Sequence, residues 1–305
     1  MIENKIVNNS VENSGLNRWA ATRPVLPKKW ERRFKKWLEK KYYAGMGWIK
    51  KDPEQRVNLK KRFPWCKSVI IVADNYYSRP LKDHDSPFVS IYAHGENYHK
   101  IVTSKLEKTV AGIKKHYPPI KHKIYVDTGP VLERAFAVEA GLGWMGKNNM
   151  LIIDELGSYC FLGILLLDKE LESYGYPIQE KCGDCSLCIE ACPTGALEQK
   201  YLHNSHKCLS YLTIEKKGSF TAKESNLIDN TLYGCDKCLE VCPWNKKWAK
   251  KALDKRYYSK KDYLKKTRQE WEHMDRQEFK DLFKNSVFKR LKYKRLKRNL
   301  AALDD

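Results

Sequence analysis

The stretch CGDCSLCIEACPTGAL, residues 182–197, sets Cys182, Cys185, Cys188 and Cys192 at the spacing C-x2-C-x2-C-x3-C and closes with Pro193. It constrains the fold more than any other feature, because the region carrying it is expected to be a loop-dominated unit held by its metal. A partial copy follows in YGCDKCLEVCPWN, with Cys235, Cys238, Cys242 and then Pro243. Aligned from its Cys-Pro end, the copy has Leu232 where the first motif has Cys182, so it is one ligand short. In two-cluster ferredoxins three thiolates of a motif bind one cubane and the fourth reaches the other. On that pseudo-symmetry Cys242 joins Cys182, Cys185 and Cys188, while Cys192 joins Cys235 and Cys238. Cys208, in HKCLSYLTIE between the motifs, is the cysteine left in the region to supply the eighth thiolate of two 4Fe-4S clusters. Zinc also takes four-cysteine sites. It does not account for three cysteines at two-residue gaps, a Cys-Pro closure and a following copy. Cys66 and Cys160, in or beside apolar runs, read as small hydrophobes.

Ten cysteines in 305 residues are too sparse for a disulfide scaffold. The first fifteen residues hold no apolar signal segment, and the run FLGILLL is far short of the ~20 residues that span a bilayer. A cytoplasmic protein is expected. Net charge is +21, and residues 246–298 hold 21 basic against 7 acidic side chains. A solvated face would account for such a run; a polyanion partner accounts for it better, since neutralised phosphates release counterions. A membrane surface fits less well, because the tail's aromatics form no single stripe.

WERRFKKWLEKKY, residues 30–42, spaces Trp30, Phe34, Trp37 and Leu38 as one face of an amphipathic helix. SVIIVAD, residues 68–74, reads as a buried strand. ENYHKIVTSKLEKTVAGIKKHY reads as a long helix stopped by Pro118 and Pro119. KIYVD, residues 123–127, reads as the next strand, and VLERAFAVEAGLG as a helix stopped by Gly141 and Gly143. This puts Asp127 at a strand's carboxyl end, where α/β folds tend to place ligands. MLIIDELGSYCFLGILLLD reads as two strands joined at Glu155–Gly157. Strands and helices thus alternate to about residue 170, and a basic, helix-prone segment begins near Trp248.

VDTGPVLERAFAVEAGLGWMGKNNMLI, CGDCSLCIEACPTGAL, CLSYLTIE and YGCDKCLEVCPWNK, in this order and spacing, resemble the epoxyqueuosine reductases. The resemblance runs from about Gly15 to Leu300. It implies an α/β (mixed α+β) cobalamin-binding catalytic domain over 1–175, a ferredoxin-like double-cluster domain over 176–247, and a basic helical C-terminal segment over 248–305. It implies a reductase that removes the epoxide oxygen of epoxyqueuosine in the tRNA anticodon loop, the final step to queuosine. The cofactors would be cobalamin and two 4Fe-4S clusters, and the partners tRNA and an external low-potential electron donor, with the chain a monomer. The same resemblance pairs the eight cysteines as above and assigns Asp127 as proton donor. It lines the cobalamin pocket with Arg56, Ser90, Asp127, Leu151, Leu162 and Ser210, with His94, His99 and Lys147 as neighbours.

Read from its surroundings alone, an aspartate before T-G-P is a turn or capping residue. As an acid near neutral pH it would need a raised pKa. No D-x-H-x-x-G stretch of histidine-ligated corrinoids occurs, so cobalamin is implied by the family and not by a motif. Larger family members continue into HEAT-type repeats, and KRLKYKRLKRNLAALDD stands where that unit would begin. The expectation is therefore that the basic tail and the body grip tRNA. Two other classes remain open at this point: an electron-transfer protein without an organic cofactor, and a corrinoid dehalogenase, whose small apolar substrate would need no phosphate-binding surface.

Overall fold

The computed structural model describes residues 1–78, 86–258 and 262–303. Residues 79–85 of the expected catalytic domain, and 259–261 and 304–305 of the expected C-terminal segment, lie outside them. Ten strands are described, in chain order β1 Arg18–Thr22, β2 Ser68–Asn75, β3 Phe88–Val89, β4 His122–Tyr125, β5 Trp144–Met145, β6 Leu151–Ile152, β7 Cys160–Leu167, β8 Leu197–Gln199, β9 Leu202–His203 and β10 Thr231–Tyr233. Four of them form the central sheet in the order β1-β2-β7-β4. Every ladder in it is antiparallel: Arg18 faces Ala73, Ser68 faces Leu167, and His122 faces Leu167. The alternation of strands and helices along the chain therefore yields a mixed fold with an antiparallel sheet, and the analogy with parallel α/β folds does not hold. The turn at Glu155–Gly157 forms as expected, with Ile153 bridging to Gly157. The strand before it, β6, pairs with β5 and not with β7.

Helices cover both faces of the sheet, which is why β2 is buried along its whole length. Its side chains alternate with the strand period. Ile70 and Val72 enter a core with α1 (Asn4–Ser14) and α3 (Tyr98–Lys114), contributed by Val7, Val11, Val102 and Leu106. Val69, Ile71 and Ala73 face the other way, onto Trp30 of α2 (Lys28–Glu39) and Phe136 of α4 (Glu133–Glu139). Gly163 of β7 lets α3 approach closely. A Cβ there would lie 2.7 Å from Leu106 Cδ1 and 2.9 Å from Val102 Cγ1.

The first core does not stop at the sheet. It continues through Leu209, Leu212 and Tyr233 into Trp271, Phe279, Phe283 and Phe288 of the C-terminal segment. A buried charge network fastens the same segment to the sheet. Lys105 Nζ lies 2.6 Å from Asp74 and 3.0 Å from Asp254, and the Tyr257 hydroxyl donates to Asp74. A buried ammonium is tolerated only when paired in this way.

Candidate active site and cluster-binding region

The two cysteine motifs fold alike. In the first, Ser186 opens α5 (Leu187–Glu190) at φ −122°, ψ 3°; in the copy, Asp236 opens Lys237–Glu240 at φ −115°, ψ 5°. Ile189 N–H donates to Ser186 O and Leu239 N–H to Asp236 O, both at 2.8 Å. Cys192 N–H and Cys242 N–H close the two turns at 3.2 Å on Ile189 O and Leu239 O. Each turn thus sends its last cysteine away from the others of its motif, and the two turns pack against each other.

Through-space neighbours sort the thiols. Burial pushes the Cys188 thiol up to about 11, and the nearby Cys182, Cys242 and Cys185 push the same way. Burial pushes Cys235 up to about 12, with Cys208 and Cys192 adding to it. Cys238 is raised by burial and then by Cys235 and Cys208, with Cys188 of the adjoining set the last and weakest of the thiols that reach it. Cys242 therefore stands with the first set, and Cys192 and Cys208 with the second. Trp144, Trp244 and Trp248 stack around Cys182 and Cys242. Burial raises the Cys182 thiol; the Lys147 backbone N–H and the Trp144 indole N–H, which has no other partner, oppose that. Donors aimed at sulfur fit a thiolate bound to a cluster. Among the described residues no three His, Cys, Asp or Glu side chains converge on a single ion. A cubane takes one thiolate per iron and does not need that convergence. Cys66 is fully buried, its thiol raised to about 11 by desolvation, and Cys160 is likewise raised by burial, as suits inert thiols.

Asp127 follows β4 in a left-handed conformation, φ 60°. Its Oδ2 accepts from the Tyr98 hydroxyl at 2.9 Å and lies 3.5 Å from His99 Nε2. Both partners sit in the first turn of α3, whose Asn97 cap accepts from His99 N–H, and Tyr98 stacks flat on Phe161 of β7 at 4.1 Å. The Asp127 N–H donates to Glu133 Oε1 at 2.8 Å, so the loop closes on the start of α4. Asp127 keeps 54 % of its side-chain surface and Arg134 is exposed, yet loss of water is the largest influence on the ionisation of each. Both groups are thus reachable by solvent with protein packed close around them.

That environment corrects one expectation. Desolvation pulls the Asp127 carboxyl up, but the neighbouring His99 imidazole, the Tyr98 hydrogen bond and the Arg290 charge outweigh it and hold the carboxyl below the ordinary range. The raised carboxyl is Glu133, pushed up to about 8 by desolvation and then by the neighbouring Asp127 charge. Glu133 was legible only as the sixth residue beyond Asp127 in DTGPVLE. Tyr98 and Arg290 had no signal at all, since they come from distant parts of the chain.

The other pocket residues divide between two sides. Arg56 is buried, its guanidinium donating to Trp48 O and Lys51 O and its own carbonyl accepting from Leu132 N–H just before α4. Leu151 and Leu162 join the core cluster of Val57 and Val131, beside Arg56 and the Asp127 loop. Ser90 and Ser210 stand by the second thiol set. The Ser90 hydroxyl donates to Asp236 at 2.6 Å, inside the copied motif, and the Ser210 backbone N–H faces the Cys208 thiol. His99 lies against Asp127, but Lys147 Nζ donates to Gly183 O beside the first thiol set. His94 is buried and committed to Ser78 and Val89. Asn149 Nδ2 is buried without a hydrogen-bond partner, a spare donor that suits an amide-rimmed ligand such as cobalamin. The Asn149 backbone carbonyl accepts from Arg134, which ties that orphaned amide to the surroundings of Asp127.

Residues 181–245 match the family described as 4Fe-4S double cluster binding domain, and residues 56–128 match Epoxyqueuosine reductase QueG, DUF1730. The chain is 36% identical over 269 residues to the epoxyqueuosine reductase of Leadbetterella byssophila, covering 88% of this chain and 87% of that one. It is 37% identical over 222 residues to the Escherichia coli epoxyqueuosine reductase, covering 71% of this chain and 58% of that one. Among solved structures, the Bacillus subtilis epoxyqueuosine reductase with its catalytic aspartate loop swung out of the active site superposes with a TM-score of 0.89. That pair shares 27% identity, over 98% of this chain and 80% of the other. An epoxyqueuosine reductase with a tRNA-Tyr epoxyqueuosine-modified stem loop superposes with a TM-score of 0.88 at 28% identity, with the same coverage. Sequence identity of this extent, on a shared fold that carries a double-cluster domain, makes the chain a member of the epoxyqueuosine reductase family.

Proposed function

We propose that this protein reduces epoxyqueuosine in the tRNA anticodon loop to queuosine, the final step of that modification. The single observation that carries the reading is the 36% identity to an epoxyqueuosine reductase along 87% of that relative. Two further observations support it: the thiol set of Cys182, Cys185, Cys188 and Cys242 beside that of Cys192, Cys208, Cys235 and Cys238, and Asp127 held between Tyr98, His99 and Glu133. The two sets would hold the clusters that pass electrons inward from an external low-potential donor. Arg56, Ser90, Asp127, Leu151, Leu162 and Ser210 would hold cobalamin, which when bound supplies a cobalt centre able to reduce carbon.

The chain's own part is to position, to exclude water and to move protons. Opening the epoxide develops negative charge on its oxygen, and an acid placed there lowers the barrier. Asp127 would present that acid. Ser90 ties the site to the cluster motif through Asp236, whose carboxyl burial pushes up to about 6. We assign residues 1–175 to the catalytic domain, 176–247 to the double-cluster domain and 248–305 to the basic segment. The protein would act as a cytoplasmic monomer; no helix among the described residues is long and apolar enough to cross a membrane. Mass spectrometry of tRNA nucleosides from a strain lacking the gene tests the reading. Epoxyqueuosine should accumulate in place of queuosine, and unchanged queuosine would refute it.

A further inference from the structure

Balanced chemistry asks for more than one acid. Both carbon–oxygen bonds of the epoxide break, a carbon–carbon double bond forms, and the oxygen leaves as water. The conversion consumes two electrons, delivered through the clusters by the external donor, and two protons. One carboxyl at Asp127 carries one proton. Its surroundings, with Tyr98 and His99 from α3, Arg134 from α4 and Arg290 from the C-terminal segment, favour its ionised form. A second proton-bearing group has to reach it.

Most of the groups around Asp127 are unsuited to that task. Tyr98 already gives its hydroxyl proton to Asp127, and burial makes it a still weaker acid. Arg134 and Arg290 keep their protons under any working condition. Glu133 differs from them in geometry. Its Oε1 accepts the Asp127 backbone N–H at 2.8 Å, which leaves Oε2 to carry a proton beside Asp127. Its carboxyl is half-buried and strongly desolvated, beside a second carboxyl, so the pair resists carrying two negative charges.

We propose that Glu133 is the proton reserve of this site: it holds the second proton of each turnover, delivers it to Asp127 directly or through one water, and by gripping the Asp127 N–H keeps both carboxyls at one site. The proposal rests on the reaction assigned above. Glu133 acts through Asp127 and is a positioning residue with a proton to give. The bond to a residue at φ 60° also makes it the latch of the Asp127 loop.

Two measurements on the holoenzyme decide it. Glu133→Gln keeps an oxygen acceptor for the Asp127 N–H and loses the proton. The wild-type rate should fall as pH rises through about 8; the variant should lower kcat about tenfold or more with KM little changed and lose that fall. Wild-type rate and an unchanged pH profile in Glu133→Gln would overturn the proposal. The second measurement needs neither turnover nor a variant: infrared spectroscopy of wild-type protein carrying carbon-13 glutamate. A protonated-carboxyl band that persists at pH 7 and titrates near 8 supports Glu133 as the reserve. A glutamate population fully ionised by pH 6 sinks it. If the wild type fails to reduce epoxyqueuosine, the assigned reaction falls, and the infrared titration still judges the protonation state of Glu133.

Discussion

Asp127 and Glu133 are both carboxyls of one loop, and their surroundings push them in opposite directions. Asp127 receives a phenol, an imidazole and a nearby guanidinium; Glu133 receives one amide N–H and a neighbouring negative charge. Asp127→Asn keeps the hydrogen bond from Tyr98 but cannot give or regain a proton. It should therefore retain iron and bound cobalamin, measured by metal analysis and absorbance, while turnover falls by at least 10²-fold. His94 offers a test of acid stability. The Val89 carbonyl can only accept, so Nε2 carries the ring proton and Nδ1 accepts from Ser78. Burial pushes this imidazole down to about 4. A histidine with a depressed folded pKa stabilises fully above its unfolded pKa, and that contribution is lost as pH falls from about 6.5 towards 4. Denaturant midpoints at pH 7 and pH 5 should differ more in the wild type than in His94→Asn, by up to about 2 kcal/mol.

At the level of elements, the copied turns explain how an incomplete motif still serves. Residues 186–192 and 236–242 share one backbone conformation, and Cys208 enters the second set from just before the π-helical turn Tyr211–Glu215. Cys208→Ala should leave about four of eight irons in anaerobically purified protein; two intact cubanes in that variant would remove Cys208 from the ligand set. The packing of α3 on the sheet gives a separate test. Gly163→Val places carbon atoms where Leu106, Val102 and Val72 already stand. Overpacking of this kind should lower unfolding stability by about 1–3 kcal/mol with no change in cluster content. The motifs, β2, α2, α3 and the turn at Glu155–Gly157 were legible, because each rests on spacing or periodicity within a short window. The antiparallel pairing of the sheet was not, since a strand's neighbour is chosen by packing across a hundred residues.

Over the whole molecule, the positive charge does two jobs. Arg295 and Arg298 turn inward, donating to Ile214, Leu212, Lys216 and Gly218 carbonyls, and Arg290 pairs with Glu215 at 2.7 Å. These three clamp the segment that carries Cys208 and Ser210, so part of the tail's charge is structural. Exposed lysines such as Lys280, Lys284, Lys289 and Lys294 are left for phosphate. Binding of a tRNA anticodon stem loop should weaken by roughly 10³-fold between about 50 and 200 mM salt if some six phosphates are engaged. A flat salt response would remove the polyanion reading of the charge. By itself the sequence determined the cluster-binding type and the likeness to one reductase family, because ligand spacing and motif order are written locally. Only the tertiary structure decided which carboxyl its surroundings push up and which they hold down. Ionisation follows the water removed and the charges brought near, and here those come from α3, α4 and the C-terminal segment, far apart along the chain and side by side in the fold.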